Sequence, residues 1–181
     1  MSAPTVPSPE AQPFLTFQVA SQEFGCGLLR VREILQVAPI SPVPSTPACI
    51  RGVMNVRGSV IPVVDLSVKL GRGEAQFSQF TCVIILEMEI DGEQTPIGVL
   101  SDKVNDVIEL APGEIEAPPP FGMGVRIEFL EGLGKVGQRF VPLLDMDRVL
   151  STAELLAAAE IESAAEAAAA ALPQDTGGIS T

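Results

Sequence analysis

The sequence predicts a mainly β protein that is built from a duplicated strand unit and followed by a C-terminal α-helix. Between residues 14 and 150 the apolar runs are short, and Gly, Pro, Asp or Ser bounds nearly all of them. Many short strands joined by tight turns are typical of small β-barrels or a sandwich. Two separated segments of the first half recur in the same order in the second half. Residues 151–172 are dominated by Ala, the strongest helix former.

The chain begins with a segment that lacks the pattern of a folded element. Residues 1–13, "MSAPTVPSPEAQP", are rich in Pro and Ser and are predicted to be a disordered tail. The segment has neither the basic start nor the apolar core of a signal peptide. No apolar run reaches the roughly 20 residues that a membrane helix needs. We therefore expect a cytoplasmic protein with no direct membrane insertion.

An internal repeat organises residues 14–150. Residues 52–66, "GVMNVRGSVIPVVDL", align without a gap with residues 132–146, "GLGKVGQRFVPLLDM", and share Gly, Val, Pro and Asp at matching positions. Residues 24–35 match residues 97–108 in the same way. Two matches in the same order indicate two similar subdomains, divided near residues 75–80. The alternative is the general strand–turn–strand pattern of β proteins.

Each copy of the long repeat has an aspartate as its next-to-last residue, Asp65 or Asp145. A carboxylate that follows a strand can cap the first turn of a helix. Two aspartates could also form a catalytic dyad, but no base, nucleophile or metal-binding cluster lies beside them in the sequence. We therefore predict that both are caps.

The C-terminal segment differs in kind from the β region. Residues 151–172 are predicted to be a helix, and Ser151 and Glu154 have the spacing of a capping box. Four glutamates within this segment argue against a membrane span. Residues 173–181 are predicted to be a second disordered tail.

Composition excludes several classes of function. The formal net charge is -12, so the chain is a poor ligand for nucleic acid. Histidine is absent, which removes the commonest general base and metal ligand. The three cysteines, Cys26, Cys49 and Cys82, lack C-x-x-C spacing and are interpreted as buried free thiols in a reducing compartment. We therefore predict no catalytic residue, no cofactor and no metal; an enzyme and a nucleic-acid-binding β-barrel remain as less favoured alternatives.

Five motifs occur in order along the chain: "VREIL" (31–35), a P-x-x-P-x-x-I-x-G-V pattern (44–53), "NVRGSVIPVVDL" (55–66), "IGVLSDKVNDVIEL" (97–110) and "FLEGLGKVGQRFVPLLDMDRVL" (129–150). Together they resemble the CheW family of bacterial chemotaxis coupling proteins. The resemblance extends over residues 14–150. Ser101 departs from it, since the family usually has an apolar residue before the matching aspartate. The Ala-rich extension lies outside the motif set.

The resemblance implies both a fold and a function. The fold is that of two SH3-like β-barrel subdomains of about five strands each. The function is that of a non-enzymatic adaptor in a two-component signal transduction system. It joins the cytoplasmic tip of chemoreceptors (methyl-accepting chemotaxis proteins) to the regulatory domain of the histidine kinase CheA, at membrane-associated receptor arrays. A CheW-like scaffold in a non-flagellar pathway, serving pili, motility or development, is the alternative.

The stretch around Arg57 is the candidate interface. Gly58 permits a tight strand connection that leaves Arg57 at the turn. By resemblance Arg57 reaches Glu33 across the groove between the barrels; the alternative is a solvated turn arginine. Val31 and Ile34 fit either core or interface, and Gly52 is better explained as a backbone constraint. The predicted kinase or receptor interface comprises Val31, Glu33, Ile34, Gly52, Arg57, Gly58, Val99 and Asp102.

Overall fold

The computed structural model describes residues 10–119 and 124–150, together with 154, 157, 158, 160 and 161. Residues 10–119 and 124–150 contain twelve strands, two short α-helices and three single-turn 3-10 helices. The strands are β1 (Gln12–Val19), β2 (Gln22–Gly27), β3 (Val31–Gln36), β4 (Ile40–Ser41), β5 (Ile50–Val56), β6 (Ser59–Asp65), β7 (Cys82–Ile90), β8 (Glu93–Ser101), β9 (Lys103–Leu110), β10 (Ile115–Glu116), β11 (Leu130–Val136) and β12 (Arg139–Leu144). The helices are α1 (Leu66–Lys69) and α2 (Met146–Val149).

The strands form two six-stranded sheets, which confirms the mainly β prediction. Sheet 1 has the order β10-β11-β12-β2-β1-β9, and sheet 2 has the order β3-β7-β8-β6-β5-β4. The resemblance implied about five strands in each unit. The sixth strand of each sheet, β10 or β4, is only two residues long, so each sheet has five longer strands.

The long repeat forms the same hairpin twice. In the β5–β6 hairpin Ile50 pairs with Val64, and the register then shifts at a bulge. In the β11–β12 hairpin Leu130 pairs with Leu144, and the register shifts at the matching place. A short helix follows each hairpin. The repeat in the sequence therefore corresponds to a repeated local structure.

The two repeats interlock rather than lie side by side. Strand β2 of the first repeat pairs in parallel with β12 of the second, through Gly25 and Leu143. Strand β8 of the second repeat pairs in parallel with β6 of the first, through Gly98 and Val63. Each sheet thus contains strands from both halves of the chain. A division near residues 75–80 falls between the repeats along the chain, but it does not separate the two sheets.

One buried apolar cluster joins the sheets. It contains Phe17 and Phe24 from sheet 1 and Ile84 and Leu86 from sheet 2, all of them at most 1% exposed. The two sheets therefore share one contiguous core.

The chain ends differ in part from the prediction. Strand β1 begins at Gln12, which pairs with Leu110, so the predicted tail overlaps the first strand by two residues. Residues 1–9 lie outside the described residues. The described positions of the Ala-rich segment, Glu154, Ala157, Ala158, Glu160 and Ile161, are helical. The remainder of residues 151–172, including Ser151 of the capping box, and residues 173–181 also lie outside them.

Candidate partner-binding surface

The β5–β6 hairpin closes with a tight turn at Arg57 and Gly58. Their φ angles are 50° and 89°, and two successive positive values are the pattern of a type I′ hairpin turn. The Gly58 N–H donates to Asn55 Oδ1 at 3.0 Å. Glycine adopts this conformation without strain, whereas a residue with a Cβ, such as Arg57, is disfavoured by about 1 kcal/mol. The turn places Arg57 at the surface with its side chain 65% exposed.

The structure brings Arg57 and Glu33 together. Arg57 Nη1 donates to Glu33 Oε1 at 3.0 Å, and Nη2 donates to the same oxygen. Within the described part of the chain, Glu33 Oε2 has no hydrogen-bond donor. Because both side chains reach solvent, the pair contributes at most about 1 kcal/mol to stability. Its geometry therefore orients two charges at the surface more than it stabilises the fold.

Glu33 lies on β3, an edge strand of sheet 2. The inner side of β3 pairs with β7, where Glu33 lies opposite Ile85. Because β3 is a strand, its residues alternate between partly buried and exposed positions. Val31 is therefore partly buried, whereas Ile34 is 39% exposed. Glu33, Arg57, Arg32 and Pro96 line a shallow depression beside this edge.

Three of the predicted interface residues have structural roles within the fold. A Cβ on Gly52 would lie 2.1 Å from the carbonyl oxygen of Ser41, so this position is a backbone constraint. Val99 is only 1% exposed, since its strand lies between β6 and β7, and it has no surface to offer a partner. Asp102 Oδ2 accepts a hydrogen bond from the Ala20 N–H at 2.7 Å and so secures the β1–β2 turn. The sequence motif that contains Val99 and Asp102 does not indicate that Val99 is buried or that Asp102 accepts a hydrogen bond from a distant turn.

Sequence reasoning missed one exposed apolar residue near this end of sheet 2. Leu29 lies in the 3-10 turn Leu28–Arg30, directly before β3, and is 91% exposed. Its neighbours in the sequence are apolar or basic, so the local pattern resembles a core segment. Only the tertiary structure reveals its exposure.

The two repeat aspartates are helix caps, as predicted. Asp65 Oδ1 accepts from Ser67 N at 3.0 Å at the start of α1. Asp145 Oδ1 accepts from Asp147 N at 3.1 Å at the start of α2. Among the described residues there is no group of three His, Cys, Asp or Glu side chains that could hold a metal ion.

The cysteines show no sign of activation. Cys26 and Cys49 are buried, and burial raises the pKa of Cys26 to about 12 and that of Cys49 to about 11. Nearby carboxylates, Glu131 and Glu154 respectively, add to the effect. Both thiols stay protonated at neutral pH, which makes them poor nucleophiles and poor metal ligands.

The described part of the chain contains no helix long and apolar enough to cross a membrane.

Comparisons with known proteins agree on one family. The family model described as CheW-like domain matches residues 13–154. The chain is 34% identical to the chemotaxis protein CheW of Klebsiella aerogenes, over 80% of this chain and 84% of that protein. It is 31% identical to CheW of Rhizobium meliloti, over 80% and 90%. It is 32% identical to protein FrzA of Myxococcus xanthus, over 82% and 91%.

A solved structure shares the architecture. The crystal structure of the scaffolding protein TtCheW from Thermoanaerobacter tengcongensis superimposes with a TM-score of 0.69 and 27% sequence identity. The similarity covers 84% of this chain and 96% of that one. These matches show that the chain belongs to the CheW family of chemotaxis coupling proteins.

Proposed function

We propose that this CheW-family adaptor joins the cytoplasmic tip of chemoreceptors to the regulatory domain of the histidine kinase CheA. It would act in the cytoplasm, at membrane-associated receptor arrays. Family membership supports the adaptor role, and the names of the relatives support chemotaxis. The second candidate is a role in a non-flagellar chemosensory pathway. It is supported by the similarity to FrzA, a relative that does not carry the name CheW.

The observation that carries the proposal is the Arg57–Glu33 pair beside an edge strand. Glu33 holds the guanidinium through one oxygen, so the arginine is oriented while most of its side chain remains in solvent. An oriented guanidinium is well suited to receive a partner carboxylate. Ile34, the next residue of β3, lies on the opposite face of the strand and offers a separate apolar contact. The free edge of β3 adds unpaired backbone groups, which commonly support docking.

The proposed mechanism needs no chemistry by the protein itself. An adaptor raises the effective concentration of the kinase for the receptor by holding both. To transmit a signal it must also bind the active and inactive arrangements of the kinase unequally. We therefore expect it to change kinase autophosphorylation in the presence of receptor fragments while taking up no phosphate itself. Stable phosphorylation of Asp65 or Asp145, or nucleotide turnover by the purified protein alone, would contradict this.

Charge reversal at the pair tests the surface. Arg57→Glu places like charges beside Glu33, so we expect the affinity for receptor or kinase fragments to fall about tenfold. Glu33→Arg should have a similar effect, and the double swap should recover part of the loss. Arg126→Glu is a matched control, because Arg126 also forms an exposed ion pair, with Glu128.

The readout combines a pull-down with CheA fragments, receptor-coupled kinase activity and urea unfolding. The three Arg57 and Glu33 variants should unfold within about 0.5 kcal/mol of wild type. Strictly additive losses in the double-mutant cycle would contradict a functional pair. Equal losses in the Arg126→Glu control would show that net charge, and not this pair, controls the binding.

A further inference from the structure

A second arginine, Arg32, shares the depression that contains Arg57 and Glu33. Both arginine side chains line it, and Pro96 of β8 lies beside them. The depression has a volume of about 300 Å³, roughly ten times that of one water molecule, so a side chain from a partner fits inside it. Because these residues line one depression, the two arginines belong to a single surface.

A β-bulge turns Arg32 toward this depression. Val31 pairs with Leu86 and Glu33 pairs with Ile85, so Arg32 is an extra residue that has no partner on β7. Consecutive side chains of a regular strand point to opposite faces, whereas a bulge re-aims a side chain. Arg32 and Glu33 are consecutive, yet both line the depression. The bulge therefore places a second cation beside the ion pair described above.

The fold needs this bulge but not this arginine. The second repeat has a bulge at the matching place on β9. The residue aligned with Arg32 is Asn105, whose side-chain amide donates to Glu23 Oε2 at 3.1 Å. The residue aligned with Arg57 is Gly137. The two arginines are thus a feature of the first copy that the duplicated backbone does not require.

The guanidinium of Arg32 has donors available for a partner. Its Nη1 lies 3.3 Å from Glu87 Oε1, which makes an ion pair, but it donates no hydrogen bond within the described part of the chain. A guanidinium carries five N–H donors. The Arg32 side chain is 53% exposed, so its pair with Glu87 contributes little to stability. The donors of Arg32 can therefore bind an acceptor that enters the depression.

A guanidinium that lines a depression favours an acceptor with negative charge, because charge-assisted hydrogen bonds are stronger and the planar fork matches a carboxylate. We propose that Arg32 is a second partner-binding residue, which donates to an Asp or Glu side chain of the receptor or kinase segment that docks at Arg57. This inference rests on the proposed function and adds a specificity-determining residue to the same surface.

The net charge of the chain does not decide this contact. A net charge of -12 slows the approach of an acidic segment. Physiological salt, however, screens exposed charges that lie more than about 8 Å apart. The two arginines line the depression itself, so they act on a bound carboxylate at much shorter range. The affinity of the bound contact therefore depends on these local groups.

The test measures the affinity of the full chain for receptor-tip and CheA regulatory-domain fragments by isothermal titration calorimetry. Arg32→Gln should weaken, by about tenfold, the binding of the fragment that Arg57→Glu also weakens. Arg32→Lys should recover only part of this loss, because an ammonium group lacks the planar fork. Glu87→Gln breaks the same ion pair but keeps the arginine, so it should change the affinity by less than about twofold.

Arg139→Gln is the matched surface control. Arg139 is 57% exposed and pairs with Glu23, so it resembles Arg32 in exposure and in pairing. This variant should bind as the wild type does. The acidic residues of the fragment are then replaced one at a time by Asn or Gln. One replacement should remove the effect of Arg32→Gln, which is the result that a double-mutant cycle gives for a direct contact.

Three outcomes would overturn the inference. They are equal losses in Arg32→Gln and Glu87→Gln, equal losses in Arg32→Gln and Arg139→Gln, and strict additivity of Arg32→Gln with every acidic replacement in the fragment. If Arg32→Gln does not unfold cooperatively, Arg32→Lys takes its place, and unchanged affinity there contradicts the inference. Wild-type affinity in Arg32→Gln beside a loss in Arg57→Glu would overturn this inference alone, whereas wild-type affinity in both would overturn the proposed function as well.

Discussion

The two copies of the repeated hairpin share a backbone but not a charge pattern. In the first copy the capping Asp65 is fully buried and pairs with Arg51 at 2.5 Å. In the second copy the residue at the position of Arg51 is Glu131, and the capping Asp145 is 25% exposed. Asp145 instead pairs at 3.4 Å with Arg148, one turn further along the chain. The capping aspartate is thus paired with a positive side chain, Arg51, in the first copy, and lies near a negative one, Glu131, in the second.

The electrostatic consequence appears on Glu131. Glu131 is exposed at the surface, but partial desolvation by the surrounding chain raises the pKa of its carboxyl, and the negative charge of Asp145 raises it further. Arg148 and Arg30 oppose the shift but do not cancel it. The same backbone therefore supports two different charge environments for the cap. The cap itself depends on hydrogen bonds to main-chain N–H groups, whereas the neighbouring long side chains determine which charges surround it.

The hairpin turns differ as well. The residues aligned with Arg57 and Gly58 are Gly137 and Gln138. Gly137 has a φ of 61°, so the second turn also needs a left-handed residue. The second copy presents no arginine at that place, and Arg139 instead pairs with Glu23 at 3.0 Å. The first copy is thus the one that offers an oriented guanidinium at its turn.

Substitution of the two capping aspartates should give the largest difference in stability between the two copies. Asp65→Ala leaves the partly buried guanidinium of Arg51 without its carboxylate and the Ala75 N–H without its acceptor. We therefore expect the free energy of unfolding to fall by about 3–5 kcal/mol. Asp145→Ala should lose about 1 kcal/mol, as for an exposed cap. The free energy of unfolding in urea measures both. Equal losses would break the distinction between an enclosed and an open cap.

The bulge glycines should give the next largest effect. Gly52 has a φ of 144°, and its Cβ would meet a backbone oxygen at 2.1 Å, so Gly52→Ala should cost about 3 kcal/mol. At Gly132 the nearest atom is the Ile115 side chain at 2.6 Å, which can move, so Gly132→Ala should cost about 1–2 kcal/mol. Urea midpoints that fall in the reverse order would contradict this reading of the two bulges.

A smaller effect of opposite sign is expected at Ser101. Its hydroxyl is buried and has no hydrogen-bond partner among the described residues. The residue at the matching place in the first repeat is the apolar Leu28. Ser101→Ala should stabilise the protein by about 1 kcal/mol, because an unsatisfied hydroxyl is removed. A drop in the melting temperature would show that the hydroxyl is satisfied in solution.

The smallest effect concerns pH. A raised pKa means that folded Glu131 keeps its proton to higher pH than the unfolded chain does. Its contribution to stability is therefore present at low pH and is lost as pH rises through the raised pKa. Glu131→Gln should gain a few tenths of a kcal/mol at pH 7, and nothing below the ordinary carboxyl pKa. Unfolding curves at pH 4 and pH 7 test this, and a gain that does not change with pH would contradict it.

The sequence by itself determined the features that depend on neighbours along the chain. The β content, the repeated hairpin, the Arg57–Gly58 turn and the caps at Asp65 and Asp145 follow from residue pattern and turn chemistry. These are local properties, since a φ angle or a cap depends on residues within a few positions. The family resemblance rested on the same local motifs.

Only the tertiary structure decided what depends on distant partners. The exchange of strands between the repeats, the burial of Val99 and the pairing of Arg51 with Asp65 all join separate parts of the chain. The exposure of Phe77 has the same origin, since an apolar residue in a loop can be buried or presented with no change in local pattern. The physical reason is that burial and charge pairing are set by which surfaces pack together, and that packing is a property of the whole fold.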